Sequence, residues 1–132
     1  MKLVLGMGCD RNTPLETLET AVTLALQEAG CNRKDVQRLA TIEAKKDEVA
    51  LLALAEQQGW PLDLHGAEAL AAVSVPNPSD VVLKYMGTPA VAEAAALLSG
   101  GSPGWEALLV EKLKYRGTDG KNATVSVVRI MS

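Results

Sequence analysis

The stretch Lys2–Gly30, "KLVLGMGCDRNTPLETLETAVTLALQEAG", decides the fold. Lys2 to Gly6 is a short apolar run closed by glycine, the pattern of a buried strand. Leu15, Leu18, Val22, Ala25 and Ala29 then recur at helical spacing, while Glu16, Glu19, Thr20, Thr23 and Gln27 fall mostly on other faces. Thr13 stands where a helix cap belongs, Pro14 suits the first helical position, Glu16 completes a capping box and Gly30 is the stop. A strand, a glycine-bearing loop and an amphipathic helix in that order open an α/β domain.

The alternation continues. A short turn at Asn32 to Asp35 leads to an expected strand at Gln37 to Glu43 and a helix from Lys46 to Gln58, with Gly59 as its stop and Pro61 beyond. Leu62 to His65 reads as a weak strand and Ala67 to Ala72 as helical. The prolines of "SVPNPSD", Ser74 to Asp80, make a loop, after which Ser79 caps a short helix to Met86, and Thr88 with Pro89 opens another to Leu98. Beyond "SGGSPG", Ser99 to Gly104, a strand at Ala107 to Lys114, the turn "RGTDGKN" and a strand at Ala123 to Ile130 form a C-terminal hairpin. Early strands separated by helices favour parallel pairing and the hairpin adds an antiparallel pair. The expected architecture is one domain over residues 1–132, a three-layer α/β/α arrangement around a mixed sheet of about five strands.

Composition narrows the function. In 132 residues there are 48% apolar and 22% charged side chains, the range of a folded globular chain. With 3% aromatics and no Phe, the core must be built from Ala and Leu, and base-stacking platforms for nucleic acid are excluded. Thirteen Lys and Arg against 16 Asp and Glu give a net charge of −3, which offers no footprint for nucleic acid or an anionic membrane. No apolar stretch is long enough to cross a bilayer and the opening residues are too short for a signal peptide, so a cytoplasmic location is expected. Cys9, Cys31 and His65 give neither a disulfide framework nor zinc spacing, and no metal or cofactor is expected.

Three segments and one histidine are the candidates for chemistry. "GMGCDRNTP", Gly6 to Pro14, is read as the loop between strand and helix, where glycines and a helix start suit a phosphate or carboxylate; Arg11 in place of the third glycine breaks the dinucleotide fingerprint, and a tight turn without a ligand reads equally well. Cys9, beside Arg11 and a helix start, is either a thiol with a lowered pKa or a small half-buried residue. In "ATIEAKKDEVALL", Ala40 to Leu52, charges of both signs gather at a strand end, where open α/β sheets bind ligands; a solvated first turn explains them too. From Pro89 to Leu98 every residue except Glu93 is apolar, so that carboxylate must meet a cation, accept backbone donors, stay protonated or face a cleft. It marks a functional site or a structural ion pair. His65, the single histidine, fits a turn or exposed position as well as a general base.

In order, "GMGCDRNTP", "ATIEAKKDEVALL", "NPSDVVLKYMGTPAVAEAAALLSGG" and "LLVEKLKY…ATVSVVRI" resemble the motifs of the cobalamin-biosynthesis CobE family, which is similar to the C-terminal domain of the CbiG proteins. Gly6, Gly8, Cys9, Arg11 and Thr13 match the first motif, with Asp10 and Asn12 less basic than its pattern. Thr41, Ile42, Glu43, Lys45 and Glu48 occupy the second, Thr replacing Ser and Glu replacing Asp. Ser79, Gly87, Val91, Glu93 and Ala96 match the third and Lys112 the last.

The resemblance implies a role in corrin-ring formation: binding or presenting a corrinoid or precorrin intermediate, with other cobalamin-pathway enzymes as further partners. CbiG proteins open a lactone on such an intermediate and carry a further N-terminal region, which makes a chain of this size closer to CobE. Macrocycles fringed with carboxylates call for cations and amide donors beside an apolar surface. The expected ligand set is Gly6, Gly8, Cys9, Arg11 and Thr13, then Thr41 and Lys45, then Ser79, Thr88, Glu93 and Lys112, gathered around one cleft. In the hydrolase alternative Glu93 or Glu48 activates water while Lys45 or Arg11 stabilises the oxyanion.

Overall fold

A computed structural model describes residues 2–71, 91–101 and 107–130. Its elements, in chain order, are β1 (Leu3–Cys9), α1 (Leu15–Ala29), β2 (Val36–Ile42), α2 (Val49–Gln58), β3 (Leu62–His65), α3 (Ala67–Ala71), α4 (Val91–Ser99), β4 (Leu108–Arg116) and β5 (Asn122–Arg129). The sheet order is β3-β2-β1-β5-β4. β1 pairs parallel with β2 and β2 with β3, whereas β5 runs antiparallel to both β1 and β4. The mixed α/β sheet expected from the alternation is therefore the one that forms. The expected loop at Ser74 to Asp80, the helix from Ser79 to Met86 and the Thr88–Pro89 helix start lie outside the described residues.

Period-two alternation along each strand divides the core into two layers. Leu3, Leu5 and Met7 of β1 join Leu18, Val22, Leu51, Leu54, Val125 and Val127 under α1 and α2. Val4, Ala40, Ile42 and Val128 point the other way and meet Leu70 and the alanines of α4. In α4 every residue from Ala92 to Leu97 is buried, Glu93 included, as a helix without a polar face requires.

Three local expectations are corrected. First, β1 does not stop at Gly6 but runs on to Cys9, because the antiparallel ladder with β5 continues through Met7↔Val125, Gly8↔Thr124 and Cys9↔Ala123. "GMGC" is thus strand, and the loop shrinks to Asp10 through Pro14. Second, Thr13 does not cap α1. Pro14 occupies that position with no side-chain cap bond, while the Thr13 hydroxyl closes the preceding turn by donating to the Asp10 carbonyl at 2.6 Å. Third, the helix expected from Lys46 begins at Val49, after a 3-10 turn at Glu43–Lys45. Smaller shifts move β2 to Val36–Ile42 and extend β4 to Arg116, as far as its pairing with Asn122 lasts.

Gly6 has a reason other than ligand approach. A Cβ there would occupy the space of the Ala92 carbonyl oxygen and lie 2.8 Å from the Ala96 Cβ, so glycine is what lets α4 rest its backbone on β1. Gly8, two residues along the same face, meets nothing nearer among the described residues than the Thr124 Cβ at 4.0 Å. Gly6→Ala should therefore force α4 off the sheet and lower unfolding free energy by roughly 3 kcal/mol, the upper range for overpacking. Gly8→Ala should change it by less than about 1 kcal/mol. Urea titration of both variants compares them directly.

Candidate functional site

The parallel strands β1 and β2 end at the same edge of the sheet, and the Asp10–Pro14 loop is tied down there from two sides. On one side Asp10 accepts from the Asn122 backbone N–H at 2.8 Å and its side-chain amide at 3.0 Å, while the Asp10 N–H donates to the Asn122 carbonyl at 3.0 Å. These bonds, ahead of the opposing effect of burial, hold the Asp10 carboxyl below its ordinary range. On the other side Arg11 donates to Asp47 at 2.8 Å and to Glu48 Oε2 at 3.0 Å, with the Ala44 carbonyl at 3.4 Å. Asn12 takes a left-handed φ of 61°, which points its N–H at Glu48 Oε1, 2.7 Å away.

This network settles several expected roles. Glu48 is buried with one oxygen on Arg11 and the other on Asn12, an anchor for the loop rather than a base open to water. Arg11 is committed to the same anchor. Thr41 is also occupied, its buried hydroxyl donating to the Met7 carbonyl at 2.7 Å and tying β2 to β1. Lys45 stands at the rim, where its charge favours the ionised forms of both Cys9 and Asp10. Its ammonium makes no hydrogen bond or ion pair with the described residues. The Cys9 thiol is nevertheless pushed up by burial, which outweighs the pull of Lys45, so the activated-thiol reading is corrected.

Glu93 and Lys112 meet on the opposite face. Glu93 is 0% exposed between α4 and the sheet, and the Lys112 ammonium, from a side chain 24% exposed, lies 3.1 Å from Oε1. The pair lacks hydrogen-bond alignment, and neither carboxylate oxygen has a hydrogen-bond partner among the described residues. Burial raises the Glu93 carboxyl above its ordinary range, Glu111 adds to the rise, and Lys112 opposes it. The single cleft expected for Arg11, Lys45, Glu93 and Lys112 is thus divided. Arg11 joins Glu48, Lys45 neighbours Cys9 and Asp10, and Glu93 joins Lys112 beneath α4. Ser79 and Thr88 lie outside the described residues.

Two features escaped the sequence reading. Lys112, Lys114 and Arg116 alternate with Leu113 and Tyr115, which pack into the α1 and α2 layer, so the three cations share the α4 face of the edge strand. Lys114 lies across from Thr124, and Thr124 across from Gly8, which sets Gly8, Thr124 and Lys114 in one row. The alternation in "EKLKYR" was the available signal. The second feature is a polar chain between β3 and α4. No Ser-His-Asp constellation was expected, yet Ser99 Oγ stands 2.6 Å from His65 Nε2 and donates to Asp63 at 2.8 Å, with Arg38 on the same carboxylate at 3.2 Å. Because the hydroxyl proton goes to Asp63, Ser99 can only accept from His65, the reverse of an activated nucleophile.

The loop anchor makes two measurable statements. Glu48→Ala leaves the Asn12 N–H without its acceptor and should cost about 2 kcal/mol of stability, whereas Asp47→Ala removes an exposed, solvent-screened pair and should leave stability nearly unchanged. Denaturant melts of both variants check the contrast. Asp10, with its depressed folded-state pKa, contributes stability that is present above its unfolded pKa and lost as pH falls through the folded one. Asp10→Asn should therefore flatten the acid limb of a stability-against-pH curve at and below the ordinary carboxyl range.

Comparison with known proteins places these features. The family model described as "Cobalamin synthesis G C-terminus" matches residues 3–128. A protein named Cobalt-precorrin-5A hydrolase from Priestia megaterium is 39% identical over 97% of this chain, which spans only 32% of that protein. Protein CobE from Sinorhizobium sp is 37% identical over 113 residues, 84% of this chain and 72% of its own length. The crystal structure of CobE, from the cobalamin biosynthetic pathway, superposes with a TM-score of 0.78 at 29% identity and covers 99% of this chain and 93% of that one. With the motifs in order and the same mixed sheet, the chain belongs to the cobalamin synthesis G C-terminal family and is a cobalamin-biosynthesis protein of the CobE and CbiG C-terminal type.

Proposed function

We propose that the chain binds a corrinoid or precorrin intermediate during corrin-ring formation and presents it to another enzyme of the pathway. The observation that carries this reading is the row Gly8–Thr124–Lys114, flanked by Lys112 and Arg116 along β4. Gly8 adds no side chain to that face, which keeps the row low between the cations of β4 and the end of β1. A macrocycle with peripheral carboxylates needs such a combination: a flat, small-residue surface with cations at its margin. Cations two residues apart on a strand are about 7 Å apart, so Lys112 and Lys114 can hold separate carboxylates. Lys45, at the rim of β1, supplies a further charge.

The second reading, a hydrolase opening the lactone of a precorrin-5-type intermediate, is favoured by the 39% identity to the Priestia megaterium hydrolase. With both Glu48 oxygens occupied, Glu93 is the carboxylate that could activate water, and Lys45 or Lys112 would stabilise the oxyanion. Incubation of the purified protein with isolated corrin-ring intermediates separates the two. A coloured complex without mass change supports the carrier, lactone opening supports the hydrolase, and no interaction with any intermediate overturns both. Lys114→Gln should weaken the complex roughly tenfold, the loss expected for one charge-assisted contact.

A further inference from the structure

Glu93 presents an unusual balance. Its carboxylate is buried among alanines, has no hydrogen-bond donor among the described residues, and relies on one ammonium that itself reaches toward solvent. A buried carboxylate deprived of its cation cannot stay ionised at modest cost; it takes up a proton instead. Lys112 is also the member of the β4 cation row nearest α4, next to Lys114, so the ammonium that neutralises Glu93 is one that a ligand carboxylate would seek.

We propose that Glu93 is an internal stand-in for a ligand carboxylate: it occupies Lys112 in the unliganded chain, a carboxylate of the bound corrinoid precursor takes Lys112 from it, and Glu93 then takes up one proton from solvent. The inference rests on the corrinoid-binding reading above and specifies how that site is kept charge-balanced when empty. Both ammonium and ligand carboxylate keep their charges through the exchange, and the solvent proton neutralises Glu93. Among the described residues no other group offers a substitute. From β4 the charged groups near Glu93 are Lys112 and Glu111, and the latter opposes ionisation. On the faces of β1, β2 and β5 turned to α4, Val4, Gly6, Ala40, Ile42 and Ser126 do not titrate, and the charged group there, Arg38, is paired with Asp63 at 3.2 Å. From α3 the acid is the exposed Glu68, and Asp63 and His65 of β3 are engaged at Ser99, about 9 Å of helical rise from Glu93.

The sign of the pH dependence follows. Proton uptake on binding makes affinity fall as pH rises, by up to tenfold per unit, between the Glu93 pKa with Lys112 in place and its higher pKa once Lys112 is drawn away. The probe is cobyrinic acid with its peripheral carboxylates free, and its methyl ester is the control without anions. Titration calorimetry at the pH where affinity falls most steeply, in buffers of different ionisation enthalpy, should give proton uptake approaching one per corrin bound by the wild type. Glu93→Gln should bind about tenfold more tightly with no proton uptake, because Lys112 is no longer held by an anion. Lys112→Met should bind about tenfold more weakly, also without uptake, since Glu93 is already protonated. The ester should bind every variant alike.

Wild-type binding without proton uptake, or weaker binding by Glu93→Gln, overturns the exchange while leaving the carrier reading in place. If the wild type binds neither this corrin nor any isolated intermediate, both fall. Should Glu93→Gln fail to fold, the wild-type proton count and Lys112→Met decide the question.

Discussion

The close seating of α4 on β1 is the constraint from which the rest of the described structure follows. The Ala92 carbonyl rests where a side chain at position 6 would be, so helix and sheet approach to backbone distance and the intervening layer is filled by alanine and valine. That closeness buries Glu93, the next residue along the helix, without room for donors of its own. A carboxylate in such a layer is tolerated only beside a cation or in its neutral form, and Lys112 from the edge strand meets the first condition. One glycine in a strand thus has an electrostatic consequence across three neighbouring strands.

The opposite margin of the sheet is organised by a different economy of hydrogen bonds. Asp10 accepts from the Asn122 backbone N–H, the Asn12 N–H donates to the Glu48 carboxylate, and Arg11 closes the gap to α2. Glu48 carries most of this arrangement because it is the buried member, with both oxygens used, while Asp47 sits outside. The loop is consequently a rigid support that places the ends of β1 and β2. Among the described residues, Lys45 at the rim and Lys114 and Arg116 of β4 take no part in these bonds.

Much of the fold was legible in the residues. Helical spacing from Leu15 to Ala29, the stops at Gly30 and Gly59 and the terminal hairpin all reflect local preferences that survive into the structure, with both glycines in the left-handed conformation. The errors arose where a local motif competed with a distant partner. Thr13 looked like a cap, but its hydroxyl serves the Asp10 turn; Gly6 to Cys9 looked like a loop, but β5 extends the strand. Glu93 stood out because an acid alone in an apolar helix is conspicuous at any register. Its partner was identified only as a member of the last motif, since nothing local links position 93 to position 112.

By itself the sequence determined the alternation of strands and helices, the aliphatic character of the core, the anomaly at Glu93 and, through its ordered motifs, the family. These depend on residue type and short-range spacing, which a linear chain carries in full. Tertiary structure alone decided which polar groups pair: Arg11 with Glu48, Lys112 with Glu93, and the Ser99 hydroxyl as donor to Asp63 instead of to a nucleophile's base. Such pairings join residues from 19 to 37 positions apart, and burial and distance, which no local pattern encodes, determine whether each is an anchor or a site.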